Sequence, residues 1–245
     1  MHFPRSAAAI ATAMATMSVL VAHAQDTRAT CGSGNLDLSK WKLQLPSGRK
    51  GHPREISSSE LCNGYASEFF YMQGDALLMK VPGGPSSGKC VTTPNSKHCR
   101  TELREVKPAS WSPRAKTNRL VGELKVTQND GEICIGQIHI KDAISTKPVA
   151  ELYYNARGDL AMGVNTCRTC GQKRTPIGNV PQGQRLSYEI RYEGNRLSVS
   201  INGGAFKMLS THDLDAPRSY FKAGNYNQGE GPTTVQFYKI QTSHS

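Results

Sequence analysis

Short segments in which apolar and polar residues alternate are the feature that most constrains the fold of this chain. Leu186, Tyr188, Ile190 and Tyr192 occupy every second position, and residues 193–195 follow them as a predicted hairpin turn. Successive side chains of a β-strand point to opposite faces, so each such segment can bury one face. Many short strands separated by Gly, Pro and Asn, without long helical periodicity after the N-terminal segment, predict an all-β sandwich or barrel.

The first 24 residues have the order of regions that is typical of a secretory signal peptide. Arg5 precedes an apolar stretch over residues 7–21, and residues 22–24 (Ala-His-Ala) match the small-x-small pattern for cleavage. We therefore expect cleavage near Ala24 and a secreted protein, extracellular or periplasmic. Residues 25–245 are expected to form a single domain, a length at which β-sandwiches commonly fold as one unit.

The balance of charges limits the partners that the chain is expected to bind. The formal net charge is +11, from 30 Lys and Arg against 19 Asp and Glu. A basic secreted protein suggests nucleic acid, an anionic membrane or an acidic polysaccharide as partner. The basic residues are scattered rather than clustered, which disfavours nucleic acid, and no apolar run of about 18 residues predicts a membrane span.

Seven cysteines follow the predicted signal peptide, and in a secreted protein they are expected to form disulfides. Spacing does not determine connectivity, so the pairs that their positions suggest are hypotheses: Cys31–Cys62, Cys90–Cys99 and Cys167–Cys170. Cys134 lies in an apolar strand and is predicted to be a buried free thiol. A zinc site would need four ligands, and no second Cys-x-x-Cys is present, so no metal or cofactor is expected.

Three polar segments carry the predicted chemistry: residues 100–105 (Arg-Thr-Glu-Leu-Arg-Glu), 137–139 (Gln-Ile-His) and 220–228 (Tyr-Phe-Lys-Ala-Gly-Asn-Tyr-Asn-Gln). Read as strands, each has one polar face backed by apolar residues. The polar faces hold Arg100, Glu102, Arg104, Gln137, His139, Tyr220, Lys222 and Tyr226. If the three strands are neighbours in one sheet, they form a surface that can bind an anion and transfer a proton.

This set of side chains suits the β-elimination of a polyuronate. The reaction requires neutralisation of the uronate carboxylate, removal of the proton on C5 and protonation of the departing O4. Arg100, Gln137 and His139 can stabilise the charge that develops on the carboxylate. His139 and Tyr226 can transfer the two protons, and no metal is required.

The three segments, in this order, resemble the signature motifs of the alginate lyases of polysaccharide lyase family seven. Residues 37–46 also resemble the opening strand of that family, so the resemblance covers roughly residues 35–241. It implies a β-jelly roll, concanavalin-like, with a concave substrate groove. It also implies cleavage of 1,4-linked alginate to 4,5-unsaturated oligouronates, with internal (endo) cleavage expected.

The resemblance also implies roles for individual residues. The catalytic positions are Arg100, Gln137, His139 and Tyr226, and the substrate-binding or sheet-supporting positions are Glu102, Arg104, Tyr220, Lys222 and Gln228. Ile138 is the variant that in this family accompanies guluronate-containing or broad substrates. Asn225 departs from the apolar residue common there, but by strand periodicity it faces away from the groove.

Other functions remain open at the level of sequence. A lyase for another polyuronate such as glucuronan would use the same residues, and a non-catalytic binding module would share the charge and the groove. A glycoside hydrolase would need two carboxylates across one bond, but Glu102 and Glu105 lie at an odd spacing and should face opposite ways. We expect a monomer that binds alginate, and neither nucleic acid nor a membrane.

Overall fold

The computed structural model describes residues 1–2, 31–32 and 34–245. The predicted signal peptide, apart from its first two residues, and the cleavage site near Ala24 lie outside the described residues. Within the described ranges, no helix has the length and apolar character needed to cross a membrane.

Two antiparallel sheets account for most of the described chain, and strands are numbered here in chain order. The first has eight strands in the spatial order β10 (Gln172–Asn179), β9 (Asp159–Asn165), β8 (Pro148–Asn155), β7 (Glu132–Ile140), β14 (Ser219–Asn227), β5 (Arg100–Glu105), β1 (Trp41–Arg49) and β2 (His52–Ile56). The second has seven strands in the order β13 (Lys207–Leu209), β12 (Arg196–Ile201), β11 (Arg185–Glu193), β6 (Asn118–Gln128), β15 (Thr233–His244), β4 (Ala76–Val81) and β3 (Phe70–Gln73). The predicted all-β jelly-roll sandwich is confirmed.

Helical structure in the described chain is short. The α-helix α1 (Ser58–Cys62) begins at a capping box. The Ser57 hydroxyl accepts a hydrogen bond from the backbone amide of Glu60, and the Glu60 carboxylate accepts one from the backbone amide of Ser57. Two 3-10 turns span Leu38–Lys40 and Pro85–Ser87.

The core lies between the two sheets and follows the period-two pattern. The four alternating residues of β11 are all buried, and on β7 and β14 the apolar residues Ile138 and Phe221 are fully buried on the side that faces the second sheet. The Tyr188 hydroxyl donates to the Ile135 carbonyl at 3.0 Å, which links β11 of the second sheet to β7 of the first. Burial of one face of each strand therefore leaves the other face of the first sheet available for polar groups.

The three disulfides suggested by the sequence are confirmed: Cys31–Cys62, Cys90–Cys99 and Cys167–Cys170. Cys134 is a buried free thiol, as predicted. Two of the disulfides close loops beside the polar face of the first sheet, before β5 and after β9.

The three polar segments are neighbouring strands, since β14 lies between β5 and β7. In register, Lys222 is opposite both Arg104 and Gln137, and Tyr220 is opposite His139. Pairing with β7 shifts between Ala223 and Tyr226, where Gly224 has a φ of +155° and a Cβ would lie 2.6 Å from the Thr101 carbonyl oxygen. Gly224 is needed at this close approach of β14 to β5, and because pairing with β5 continues without a shift, Tyr226 stays on the same face as Lys222.

Candidate active site

An elongated groove of about 530 Å³ crosses the polar face of the first sheet. Its lining extends from Gln44 on β1 to Gln172 on β10. Seven of the nine predicted site residues line it: Arg100, Arg104, Gln137, His139, Tyr220, Lys222 and Tyr226. The period-two assignment of these residues to one face therefore agrees with the structure.

Glu102 lies beneath the groove rather than in its lining. Its side chain is fully buried and accepts hydrogen bonds from Arg100 at 3.0 Å, from Gln137 and from Lys222. Burial alone would raise the pKa of this carboxyl, but the charges of Lys222 and Arg100 outweigh burial and hold the pKa below its usual value. Glu102 is therefore ionised, and it orients three donors while neutralising only one of two cations.

Tyr226 lies at one side of this cationic cluster. The Arg100 guanidinium carbon is 3.7 Å from the centre of the tyrosine ring, a cation–π contact. Burial raises the pKa of the Tyr226 hydroxyl, with Arg100 opposing the shift, so the phenol is protonated at neutral pH. It can therefore donate a proton to a leaving group.

The Tyr226 hydroxyl also contacts Ser96, at 2.9 Å from Oγ. The Ser96 hydroxyl donates to the His98 carbonyl at 3.0 Å. A carbonyl oxygen can only accept a hydrogen bond, so the serine proton is used in the bond to His98. Tyr226 is therefore the donor in the contact with Ser96. The loop that holds Ser96 is closed by the Cys90–Cys99 disulfide immediately before β5.

His139 is held as a neutral imidazole. Burial, followed by the charge of Lys222, lowers its pKa from 6.5 to about 4. Its Nδ1 lies 2.8 Å from the Ile140 carbonyl oxygen and 3.0 Å from the Tyr220 hydroxyl. Since the carbonyl accepts only, Nδ1 carries the hydrogen and Nε2 keeps a lone pair, which is the form required of a general base.

Tyr220 and Arg104 support His139 from the side. The Tyr220 hydroxyl donates to Asp142 at 2.7 Å, and its ring stacks on the imidazole with centres 5.1 Å apart. Arg104 pairs with the same Asp142 at 2.8 Å and lies 4.2 Å above the Tyr220 ring. The arrangement fixes both the orientation and the tautomer of His139.

Comparison with known proteins assigns the family. A family model described as alginate lyase matches residues 36–244. The chain belongs to the alginate lyase family. This confirms the resemblance inferred from the three segments, and it makes the protein a polysaccharide lyase of family seven. A comparison with curated protein sequences found no match.

Solved structures of other alginate lyases are similar to this one. Alginate lyase A1-II′, a member of polysaccharide lyase family 7, is 30% identical with a TM-score of 0.74, over 86% of this chain and 97% of that one. Alginate lyase PA1167 from Pseudomonas aeruginosa is 29% identical with a TM-score of 0.76, over 85% and 100% of the two chains. A form of A1-II′ with one His-to-Asn and one Tyr-to-Phe substitution, solved with a substrate written GGMG, is 29% identical with a TM-score of 0.74, over 86% and 95%.

Gln228, like Glu102, is a predicted site residue that this alginate lyase places outside the groove lining. Its side-chain amide donates to the Tyr226 carbonyl at 3.1 Å, and its backbone amide donates to the Glu132 backbone carbonyl at 2.8 Å. Gln228 therefore supports the end of β14 next to Tyr226.

The sequence interpretation missed several polar groove residues of the alginate lyase: Ser96, Glu151, Tyr153, Asn165 and Gln172. Glu151 and Tyr153 are two apart on β8, so they carried the same period-two signal as the three segments. Ser96 carried none, because a loop has no periodicity that predicts where a side chain points. Among the described residues, no group of three or more His, Cys, Asp and Glu could hold a metal ion.

Glu105 faces the opposite side of β5 from Glu102, as its odd spacing predicted. It is fully buried and accepts from the Trp111 indole at 3.0 Å on the core side. These two carboxylates of the alginate lyase therefore cannot flank one glycosidic bond.

Proposed function

We propose that this protein is a secreted, monomeric lyase that cleaves 1,4-linked alginate by β-elimination and releases 4,5-unsaturated oligouronates. The single observation that carries the mechanism is His139, a neutral imidazole with a free Nε2 lone pair beside a cationic cluster. No cofactor, metal, nucleic acid or membrane enters the proposal.

Neutralisation of the substrate carboxylate is assigned to Arg100 and Gln137, with Lys222 adding charge. Glu102 holds all three from below, so their donors are oriented before the polymer binds. Preorganised donors of this kind lower the energy of the enolate-like transition state, in which negative charge spreads from C5 into the carboxylate.

Proton removal from C5 is assigned to His139 Nε2. The electron pair of the C5–H bond forms the C4–C5 double bond, and the C4–O4 bond breaks. A uronate carboxylate next to His139 also opposes the effect of Lys222, so binding of the substrate strengthens the base.

Protonation of the departing O4 is assigned to Tyr226. Its hydroxyl is protonated at neutral pH, and Arg100 above the ring stabilises the phenolate that remains. Arg104, Tyr220 and Gln228 are assigned to binding and positioning. The relative solved with GGMG has a histidine and a tyrosine substituted, the two residue types to which the proton transfers are assigned here, and this supports the proposal.

Internal cleavage is supported by the length of the groove. The lining extends over seven adjacent strands, from β1 to β10, and strands are about 4.8 Å apart, so the groove floor is roughly 30 Å across. A polymer can lie along this length with sugars on both sides of His139. The isoleucine at position 138 is the variant that accompanies guluronate-containing or broad substrates in this family, and it favours such a substrate here.

The test is an assay of purified protein on alginate in the presence of a chelator. A rise in ultraviolet absorbance from the unsaturated product is expected, with a mixture of oligomer sizes early in the reaction. New reducing ends without absorbance would indicate a hydrolase, and binding without either signal would indicate a carbohydrate-binding module. Parallel incubation with glucuronan determines which polyuronate is preferred.

A further inference from the structure

The groove continues beyond the residues assigned above, over β8, β9 and β10. Glu151, Tyr153, Asn165 and Gln172 line this part, and none of them belongs to the three polar segments. Glu151 is opposite Gln137 in the pairing of β8 with β7, so this region adjoins the proposed carboxylate-binding site directly.

Hydrogen bonds within this cluster use its donors and leave acceptors. The Tyr153 hydroxyl donates to Glu151 Oε2 at 2.7 Å, and the Gln172 amide donates to the same oxygen. Among the described residues, Glu151 Oε1 has no hydrogen-bond partner.

Asn165 adds a second acceptor. Its side-chain amide group donates to the Cys170 carbonyl at 3.0 Å, which turns Oδ1 the other way. The residue is only 1% exposed, and its Oδ1 has no partner among the described residues. A buried polar atom without a partner is costly, so a ligand that donates to it would be favoured.

The cationic groups near this cluster are already engaged or lie at its edge. Arg174 covers the Tyr153 ring at 3.8 Å, and both of its terminal nitrogens pair with Glu132, at 2.7 and 2.9 Å. Lys147 is exposed at the rim of the groove. A carboxylate directed to the floor here would meet Glu151, whereas Arg100 and Lys222 are held by Glu102 on strands that lie beyond β7.

We propose that the β8–β10 part of the groove is a sugar subsite that accepts the hydroxyl edge of a uronate residue and excludes its carboxylate, with Glu151 as the specificity-determining residue. This inference rests on the proposed function. Consecutive sugars of an extended 1,4-linked chain face in roughly opposite directions. When one residue turns its carboxylate to Arg100 and Gln137, its neighbour therefore turns hydroxyl groups to Glu151 and Asn165.

The subsite also selects against acylated sugars. Acetylation of a secondary hydroxyl removes the donor and adds a carbonyl acceptor, which would face the acceptor oxygens of Glu151 and Asn165 without a hydrogen between them. The protein therefore discriminates against O-acetylated polyuronate, and the discrimination depends on Glu151.

The experiment compares kcat/KM on one polyuronate before and after O-acetylation. The proteins are the wild type, Glu151→Gln and Glu151→Ala. Because burial raises the pKa of the Glu151 carboxyl, the assay is run at mildly alkaline pH, which favours the ionised form of the carboxyl. The amide introduced by Glu151→Gln can donate to an acetyl carbonyl, and the methyl group left by Glu151→Ala presents no acceptor to oppose it. Both variants should therefore reduce the wild-type discrimination by at least about fivefold.

Asp75→Asn is the matched control. It removes one negative charge from the turn between β3 and β4 of the other sheet, and it should leave the discrimination unchanged. Equal discrimination in the wild type and both Glu151 variants, or a wild type that cleaves the two polymers equally well, would overturn the subsite. Absence of unsaturated product from the unmodified polymer would instead overturn the proposed function.

Discussion

At the scale of single residues, the directions of hydrogen bonds assign the proposed roles. A carbonyl oxygen can only accept a hydrogen bond. The Ile140 carbonyl therefore determines the tautomer of His139, and the His98 carbonyl determines the direction in which the Ser96 hydroxyl donates. The two carbonyls support the proposed roles of His139 as base and Tyr226 as acid, and each role can be tested separately.

Tyr226→Phe keeps the ring beneath Arg100 and removes only the hydroxyl. If Tyr226 protonates O4, kcat/KM on alginate should fall by at least about 100-fold, the lower end of general acid–base contributions. Thermal unfolding should show that Tm is retained. Near-normal turnover would remove Tyr226 from the mechanism.

His139→Asn tests whether one base serves both uronates. The C5 protons of mannuronate and guluronate lie on opposite faces of the ring, so the two uronates can need different bases. If His139 removes the proton from guluronate and Tyr226 removes it from mannuronate, loss of His139 will reduce the activity on the two polymers unequally. If the roles divide in this way, the variant should reduce kcat/KM more on polyguluronate than on polymannuronate. Gln137→Ala is the comparison, since loss of carboxylate neutralisation should impair both polymers. Equal losses from His139→Asn would exclude the division of roles.

The low pKa of His139 can be measured directly. Burial and Lys222 disfavour the imidazolium, so His139 should remain neutral as the pH falls and should protonate only near pH 4. The measurement is an NMR titration of the histidine ring protons in the free protein, with His139→Asn to assign the signal. A midpoint near the unperturbed value of 6.5 would contradict the assignment of a desolvated base.

At the scale of structural elements, a loop completes the site that the strands begin. Strands β5, β7 and β14 supply the charged floor, but the partner of the Tyr226 hydroxyl comes from the loop that precedes β5. That loop is also held at its far end, where Ser86 contacts Glu230. The loop therefore contributes to the orientation of Tyr226 as well as to the wall of the groove.

Ser96→Ala removes the acceptor for the Tyr226 hydroxyl. Loss of one such hydrogen bond should lower kcat about 5- to 10-fold with little change in KM, and Ser96→Thr should restore most of the rate. Ser87→Ala is the matched control, because Ser87 lies in the same loop and donates to the Gly84 carbonyl at 2.6 Å, without contact to Tyr226. Equal effects of the two alanine variants would mean that order in the loop, rather than the contact with Tyr226, sets the rate.

At the scale of the whole molecule, charge is distributed so that a basic protein presents a cationic site to a polyanion. The net charge is +11, and Glu102 neutralises only one of the two cations that it holds. Long-range attraction therefore adds to the local hydrogen bonds in the groove.

The contribution of this attraction depends on ionic strength. Exposed charges are screened beyond about 8 Å at physiological salt, so KM for alginate should rise as sodium chloride is added, while kcat should change little. Initial rates over a range of salt concentrations test this. A KM independent of salt would mean that local hydrogen bonds alone hold the polymer.

Sequence alone determined which residues share a face and which family the chain resembles. A strand alternates with period two wherever it lies, because backbone geometry sets the alternation locally, and seven of nine predicted site residues therefore line the groove. The sequence also suggested the disulfide pairs, because in two of the three pairs the cysteines lie close together along the chain.

Tertiary structure alone decided how deep each residue lies and what it contacts. Glu102 and Arg100 share a face, yet Glu102 lies beneath the groove because donors from three separate strand positions converge on it. Ser96 meets Tyr226 across 130 positions of sequence, and Glu151 adjoins Gln137 only because β8 pairs with β7. Strand order and loop placement result from burial of the whole sandwich, which no local pattern encodes, and they bring polar strand faces and loop residues together in one groove.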